Sequence, residues 1–359
     1  MTKQKIALLF GGRSVEHGVS INSARNIFEF IDKALFEPIL IGISTAGVWY
    51  LVPHVSKEIE TGEILSLNLM PGKFTLQTES GKVISADMVF PILHGTDGED
   101  GSIQGLIKAL DVPMVGTGVL GSAMSMSKLI TKRLLREAGI PVADFLYFYF
   151  SDKEKISFQE VEKKLGLPFM VKSASLGSSV GVSKVKSEAD FENALLEGFH
   201  YDDCILIEKF IKGREVECAV MCNQPALASL PGEIIISKDY EFYTFDAKYV
   251  DGKAVTIDVP AKLNQSSVEK IRELSLRTYK SLACEDFARV DLFLTENDEV
   301  YVNEINTIPG FTNSSMFPMM WKERGISFTE LITQLITLAQ ARFQQSKRAE
   351  RSFTSSLKY

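Results

Sequence analysis

Two strand-like runs late in the chain, 288–294 and 300–306, constrain the fold more than any other feature. Period-two alternation puts Arg289 and Asp291 on one face of the first run, and Glu304 and Asn306 on one face of the second. The runs predict an antiparallel pair that gathers an arginine, two carboxylates and a carboxamide at one spot. Hard oxygen donors with a cation beside them suit Mg²⁺ carrying a polyphosphate, with the arginine stabilising the group in transfer. A solvated hairpin face with cross-strand ion pairs would show the same pattern. The rest of the chain has to decide between them.

A chain of 359 residues predicts two or three packed units rather than one small domain. With 45% hydrophobic and 24% charged residues, the composition is that of an ordinary soluble globular protein. The formal net charge of −7 and the lack of a long basic stripe argue against a general nucleic-acid binder. The basic cluster at 347–351 reads as a solvated helix end. Cys204, Cys218, Cys222 and Cys284 form no CxxC pair and have no histidine at metal spacing, which fits reduced thiols in the cytoplasm. Neither a signal-peptide core nor an apolar run of about eighteen residues is present, so no membrane association is expected.

The pattern opens as strand, glycine turn and helix over 5–10, Gly11-Gly12 and 19–31. Strands at 37–43 and 88–93, a polar hairpin or edge insertion at 56–82, a helix at 103–110 and a short strand at 112–115 complete a first α/β unit, residues 1–121. A second unit, 122–208, reads as α+β: helix 128–138 stopped by Gly139-Ile140-Pro141, strands 144–150, 169–173, 182–185 and 204–208, and helices 158–164 and 188–197. The third, 209–359, has strands at 215–221, 226–229 and 233–236, a long loop at 237–260, helix 267–281, the opening hairpin and a last helix at 327–342. A loop that long in a compact domain is usually functional, often a lid.

Several motifs carry chemistry. Gly11-Gly12-Arg13-Ser14 follows a first strand, but GxGxxG is absent, and that weighs against a dinucleotide-dependent dehydrogenase. Glu16, on the loop at the strand's carboxyl end, is placed to hold a substrate ammonium or to cap the following helix. His94 begins a glycine-rich loop, His94-Gly95-Thr96-Asp97-Gly98-Glu99-Asp100-Gly101, at the same sheet edge. There it would orient Glu16, touch substrate, or simply be a satisfied structural histidine. Lys172 ends a strand before the Gly/Ser loop Gly177-Ser178-Ser179-Val180-Gly181, whose amides and hydroxyls suit phosphate oxygens. No Walker A Gly-Lys-Ser/Thr is present. Glu208-Lys209-Phe210-Ile211 offers a strand end to a purine, and Glu215 follows within reach of a ribose. Tyr243, Phe245 and Tyr249 put aromatics, and Lys248 a cation, into the long loop, consistent with a water-excluding lid. Gly310 offers an amide to a developing oxyanion, and Ser315 a hydroxyl to a carboxylate.

Taken in order, these motifs resemble the D-alanine:D-alanine ligases of the ATP-grasp superfamily over nearly the whole chain. The carriers are Gly-Gly-x-Ser-x-Glu, His-Gly-x-x-Gly-Glu-Asp-Gly, Gly-Ser-Ser-Val-Gly, Ala-Lys-Tyr, Arg-Val-Asp and Asn-Glu-Ile-Asn-Thr-x-Pro-Gly. The resemblance implies ATP-driven joining of two D-alanines for peptidoglycan through an acyl phosphate, in a homodimer. It implies two Mg²⁺ ions, for which Mn²⁺ can substitute, on Asp291, Glu304 and Asn306, with Glu304 bridging. Lys128, Lys172, Ser179, Lys209 and Lys248 would meet ATP, while Glu208, Phe210, Ile211 and Glu215 surround adenine and ribose. Glu16 would bind the first ammonium, Ser178 and Tyr249 would link the Gly/Ser loop to the lid, Arg289 and Gly310 would stabilise the tetrahedral intermediate, and Ser315 would hold the second carboxylate. Two departures stand out: Ser173 follows Lys172 where proline is common, and Asp246 replaces a glutamate before Ala-Lys-Tyr. Related ligases that make a D-alanyl-D-lactate ester carry a lid histidine where this chain has Lys248-Tyr249, and other relatives join D-serine. An inactive ATP-binding regulator would keep the fold but has no need of the intact metal set.

Overall fold

The structure, a computed structural model, describes residues 2–178, 180–237 and 255–350. Its first sheet contains β1 (Gln4–Gly11), β2 (Phe36–Ile43), β3 (Trp49–Leu51), β4 (Glu63–Asn68), β5 (Phe74–Thr78), β6 (Val83–Ala86) and β7 (Met88–Pro91), in the order β6-β5-β4-β3-β2-β1-β7. β1 lies parallel to β2 and β7, and from Ile6 onward it is buried throughout, as a central parallel strand must be. The polar stretch at 56–82 forms the hairpin expected of it. It supplies β4 and β5, which extend the same sheet by antiparallel pairing, and its polar faces are the solvent side of an edge. Helices α1 (His17–Phe30) and α2 (Ser102–Ala109) follow β1 and β7. The strand expected at 112–115 reduces to a single bridge between Val89 and Met114.

Next come α3 (Val119–Met126) and α4 (Lys128–Glu137), separated only by Ser127, whose hydroxyl caps α4 by accepting from the Ile130 amide. α3 was not legible in the sequence, because its short run of small residues carries no clear apolar stripe. The second sheet is fully antiparallel: β8 (Phe145–Tyr149), β9 (Phe169–Ser173), β10 (Val182–Val185) and β11 (Cys204–Lys209), in the order β10-β9-β11-β8. Helices α5 (Phe158–Leu165) and α6 (Glu188–Tyr201) start at Ser157 and Ser187, the latter with a capping box to Asp190. They close a core of Phe169, Val171, Ile205 and Ile207 against Val161 and Phe191.

The third sheet runs β15-β14-β12-β16-β17, from β12 (Arg214–Met221), β13 (Leu227–Ala228), β14 (Gly232–Ile236), β15 (Val255–Asp258), β16 (Phe287–Leu294) and β17 (Val300–Asn306), with β13 beside β12. β15 occupies the end of what the sequence presents as loop. α7 (Gln265–Ser281) covers this sheet, and α8 (Met316–Lys322) and α9 (Phe328–Ser346) follow the hairpin. α8 escaped sequence reading because Pro318 looks like a breaker. Within the first turn its missing N–H costs no hydrogen bond.

α9 shares one core with both the first unit and the third sheet, whose Ala219, Met221, Ile234 and Phe287 belong to it. Leu331, Ile332, Leu335 and Ile336 join one core with Ile6, Leu8, Phe10, Ile21 and Ile27 of the first unit. Its Arg342 then donates to Asp286 Oδ1 and Oδ2 at 3.0 and 2.8 Å, and to the Met114 and Gly116 carbonyls at 2.8 and 2.9 Å. Asp286 is fully buried, and it also accepts from the Gly116 amide at 2.9 Å and from Asn223 Nδ2 at 3.0 Å. One arginine thus fastens the first unit to the third.

Candidate active site

β16 and β17 pair as their alternation requires. Arg289 faces Asn306 and Asp291 faces Glu304, and a bulge after Asp291 leaves Asn303 as the extra residue. Arg289 donates to both Asp291 oxygens at 2.7 Å and approaches Glu217 Oε2, on β12, at 2.8 Å. Asn306 Nδ2 donates to Asp291 Oδ2 at 2.9 Å. Glu304 lies 3.4 Å from the Lys128 ammonium, which also donates to the Leu176 carbonyl. The two carboxylates and the carboxamide therefore meet at one spot. Asp291, Glu304 and Asn306 thus share one face of the hairpin, where their oxygens could hold a hard divalent cation beside Arg289 and Lys128.

Two clefts meet at this hairpin. The first has a cavity volume of about 370 Å³ and lies between the second and third sheets. Lys128, Lys172, Glu208, Lys209, Phe210, Ile211 and Glu215 all line it. The second, about 460 Å³, lies between the first and third units, and Glu16, His94, Ser178, Arg289, Gly310 and Ser315 line it. Glu304 and Glu217 belong to both walls. Of the expected site residues, Ser179, Lys248 and Tyr249 lie outside the described residues. All the others fall on one of the two clefts.

Buried charge shapes the first cleft. Lys172 Nζ donates to Glu208 Oε2 at 2.9 Å and to Asn303 Oδ1 at 3.2 Å, so the bulged residue contributes a contact. Behind Glu208 stands Lys132, 1% exposed, with its ammonium 3.2 Å from the other carboxylate oxygen. Burial opposes the charge of Glu208, but the two lysines outweigh it and hold its pKa below the ordinary value. Burial likewise works against Lys172, and Glu208 more than restores it. For Lys132 burial prevails and draws the pKa down. Sequence reasoning missed Lys132. The signal was its spacing of one helical turn from Lys128.

In the second cleft the Glu16 carboxylate accepts from Ser178 Oγ, and its side chain makes no cap to α1 although it occupies the N-cap position. Gly95 and Gly177 crowd it: a Cβ on either would come within 2.7 and 2.9 Å of Glu16 Oε2. Gly95 has φ +77° and Ser178 φ +53°, left-handed backbone that costs a non-glycine residue something to hold. His94 does not bond to Glu16. Its Nδ1–H donates to the Ile308 carbonyl at 2.8 Å, which leaves Nε2 to accept from the Ser23 hydroxyl at 2.9 Å. Burial lowers its pKa and keeps it neutral. Glu99, quoted only as part of a motif, proves to be a wall residue. It accepts from the amides of Gly95 and Ile308, each at 2.9 Å, and burial with the nearby Glu16 charge pushes its pKa up to about 8. His94 and Glu99 thus grip Ile308 by its carbonyl and its amide, fixing the segment that carries Gly310. Ser315 Oγ accepts from the Thr312 amide at 3.0 Å and begins α8.

The D-ala D-ala ligase N-terminus family matches residues 5–117, and the D-ala D-ala ligase C-terminus family matches 134–337. The chain belongs to the D-alanine–D-alanine ligase family. It is 43% identical to the D-alanine–D-alanine ligase of Oceanobacillus iheyensis, over 98% of this chain and 99% of that one. Among solved structures it is similar to the D-alanine-D-alanine ligase from Coxiella burnetii, with TM-score 0.83, 38% identity and coverage of 96% and 98%. It is also similar to the VanG D-Ala:D-Ser ligase from Enterococcus faecalis, with TM-score 0.85, 34% identity and coverage of 94% and 100%. The architecture is the ATP-grasp of these ligases, with the nucleotide-sized cleft between the second and third sheets.

Proposed function

We propose that this ligase-family chain joins two D-alanines to D-alanyl-D-alanine at the expense of ATP, for peptidoglycan precursor synthesis. The observation that carries the reading is the meeting of two clefts at Glu304, set opposite Asp291 in the β16–β17 register. ATP occupies the first cleft, its adenine and ribose near Glu208, Phe210, Ile211 and Glu215 and its phosphates near Lys128 and Lys172. In the second cleft Glu16 holds the ammonium of the first D-alanine, whose carboxylate attacks the γ-phosphorus. ADP leaves and D-alanyl phosphate remains. The free amine of the second D-alanine, its carboxylate at Ser315, attacks the acyl carbon. The amide bond forms as the carbon–oxygen bond to phosphate breaks, and the nitrogen loses its extra proton. Arg289 and the Gly310 amide stabilise charge on the carbonyl oxygen in that step. Asp291, Glu304 and Asn306 would hold Mg²⁺, or Mn²⁺ in its place, which supplies charge neutralisation for the polyphosphate. Ser179, Lys248 and Tyr249 are assigned to the phosphate side and the lid by motif. The division into units at 121 and 208, a homodimeric state and a cytoplasmic location complete the proposal. Among the described residues no helix is long and apolar enough to cross a membrane.

An ADP-release assay across D-amino acids, with the product identified, tests the reading. ADP formed with D-alanine, together with D-alanyl-D-alanine, is expected; release without D-alanine, or none at all, refutes it. The likeness to a D-Ala:D-Ser ligase makes the acceptor worth a separate measurement. No histidine occurs in 237–260, and a tyrosine with a pKa of about 10 is a poor base for a hydroxyl acceptor at neutral pH. With D-alanine and excess D-lactate supplied together, dipeptide is the expected main product, and a majority of ester would overturn the acceptor assignment.

A further inference from the structure

The proposed steps make no use of Lys132, although it is among the most deeply buried charged side chains of the molecule. It stands one turn after Lys128 on α4, and its ammonium reaches Glu208 Oε1 at 3.2 Å from the side away from the cleft mouth. Lys172 takes the other oxygen of the same carboxylate at 2.9 Å, and its side chain keeps 11% exposure at the cleft wall. A glutamate facing Lys172 alone would make a neutral pair and hold that ammonium against the wall. With a lysine on each oxygen the trio carries a net positive charge, and Lys172 is its open end. In a site screened from water such a surplus acts strongly on an anion.

We propose that Lys132 is a positioning residue for nucleotide binding: it neutralises Glu208 from behind, so that the charge of Lys172 is left for the phosphates. The proposal rests on the ATP reading of the first cleft. It assigns Lys132 no contact with the nucleotide. It requires instead that loss of Lys132 weaken charged nucleotides more than adenosine, because an ammonium acts on an anion and adenosine carries no charge.

The test titrates the full chain with ATP, ADP and adenosine by calorimetry at fixed Mg²⁺. Lys132→Met conserves volume while removing the charge. It is expected to weaken ATP and ADP by on the order of tenfold and to change adenosine by less than about twofold. Equal weakening of all three ligands would mean a collapsed cleft and overturn the proposal, as would no change in any. The double variant Lys132→Met/Glu208→Gln keeps the net charge of the parent trio with Lys172 at the cleft wall, so it also serves should the single variant fail to fold. Its ATP-to-adenosine affinity ratio is expected to stay within a few-fold of the parent ratio; a ratio lost as fully as in a chain without phosphate preference overturns the proposal. A parent protein that binds adenosine as tightly as ATP would instead remove the nucleotide reading itself, and this proposal with it.

Discussion

Glu304 combines three relations in one side chain: it faces Asp291 across the hairpin, pairs with Lys128 and borders both clefts. Glu304→Gln keeps the shape and removes the charge, and turnover is expected to fall by at least about a hundredfold. Near-normal turnover at saturating Mg²⁺ would withdraw the metal assignment. Glu16 is a different case, enclosed by Gly95 and Gly177 and bonded to Ser178. Glu16→Ala is expected to weaken the first D-alanine, by about 3–5 kcal/mol if its buried ion pair is lost outright, while ATP affinity stays nearly constant. Equal loss for both ligands would point to a folding defect. Residues such as Asp291, Glu304 and Asn306 were legible because a strand's two-residue period converts spacing directly into a shared face. Asn303 was not, since its contact with Lys172 exists only because a bulge breaks that period. Glu217 was illegible for another reason: what makes it a neighbour of Arg289 is the pairing of β12 with β16, a long-range fact that local pattern does not contain.

At the scale of elements, the loop at 94–101 and the segment after β17 act as one body through Glu99 and His94. The sign of the pH effect follows from the raised carboxyl. Between the ordinary glutamate value of about 4.3 and about 8, the folded form keeps a proton that the unfolded chain has lost. Stability from this group is therefore complete at the acid end and is lost as pH rises toward about 8. Thermal unfolding of Glu99→Gln against the parent across that range is expected to show a parent midpoint falling relative to the variant; parallel curves would remove the claim. The main strands and most helices could be read from their periodicity. What failed was short or ambiguous: α3 with its small residues, and α8 with its internal proline.

For the whole molecule, the decisive join is Arg342. Removing it strands the buried Asp286 carboxylate, and Arg342→Ala is expected to cost about 3–5 kcal/mol of stability, read from denaturant midpoints at unchanged slope. A change below about 0.5 kcal/mol, the level of an ordinary surface substitution, would show that the join carries no weight. The family's motifs made the β16–β17 hairpin predictable, but nothing in local sequence announced that α9 would share a core with both the first and the third sheet. That shared core has a consequence for the order of folding. Ile6, Leu8 and Phe10 are separated by most of the chain's length from Leu331, Leu335 and Ile336, which belong to the same core. Contacts so distant in sequence carry a large loop-closure cost, so β1 can dock its neighbour α1 early while the core as a whole closes late.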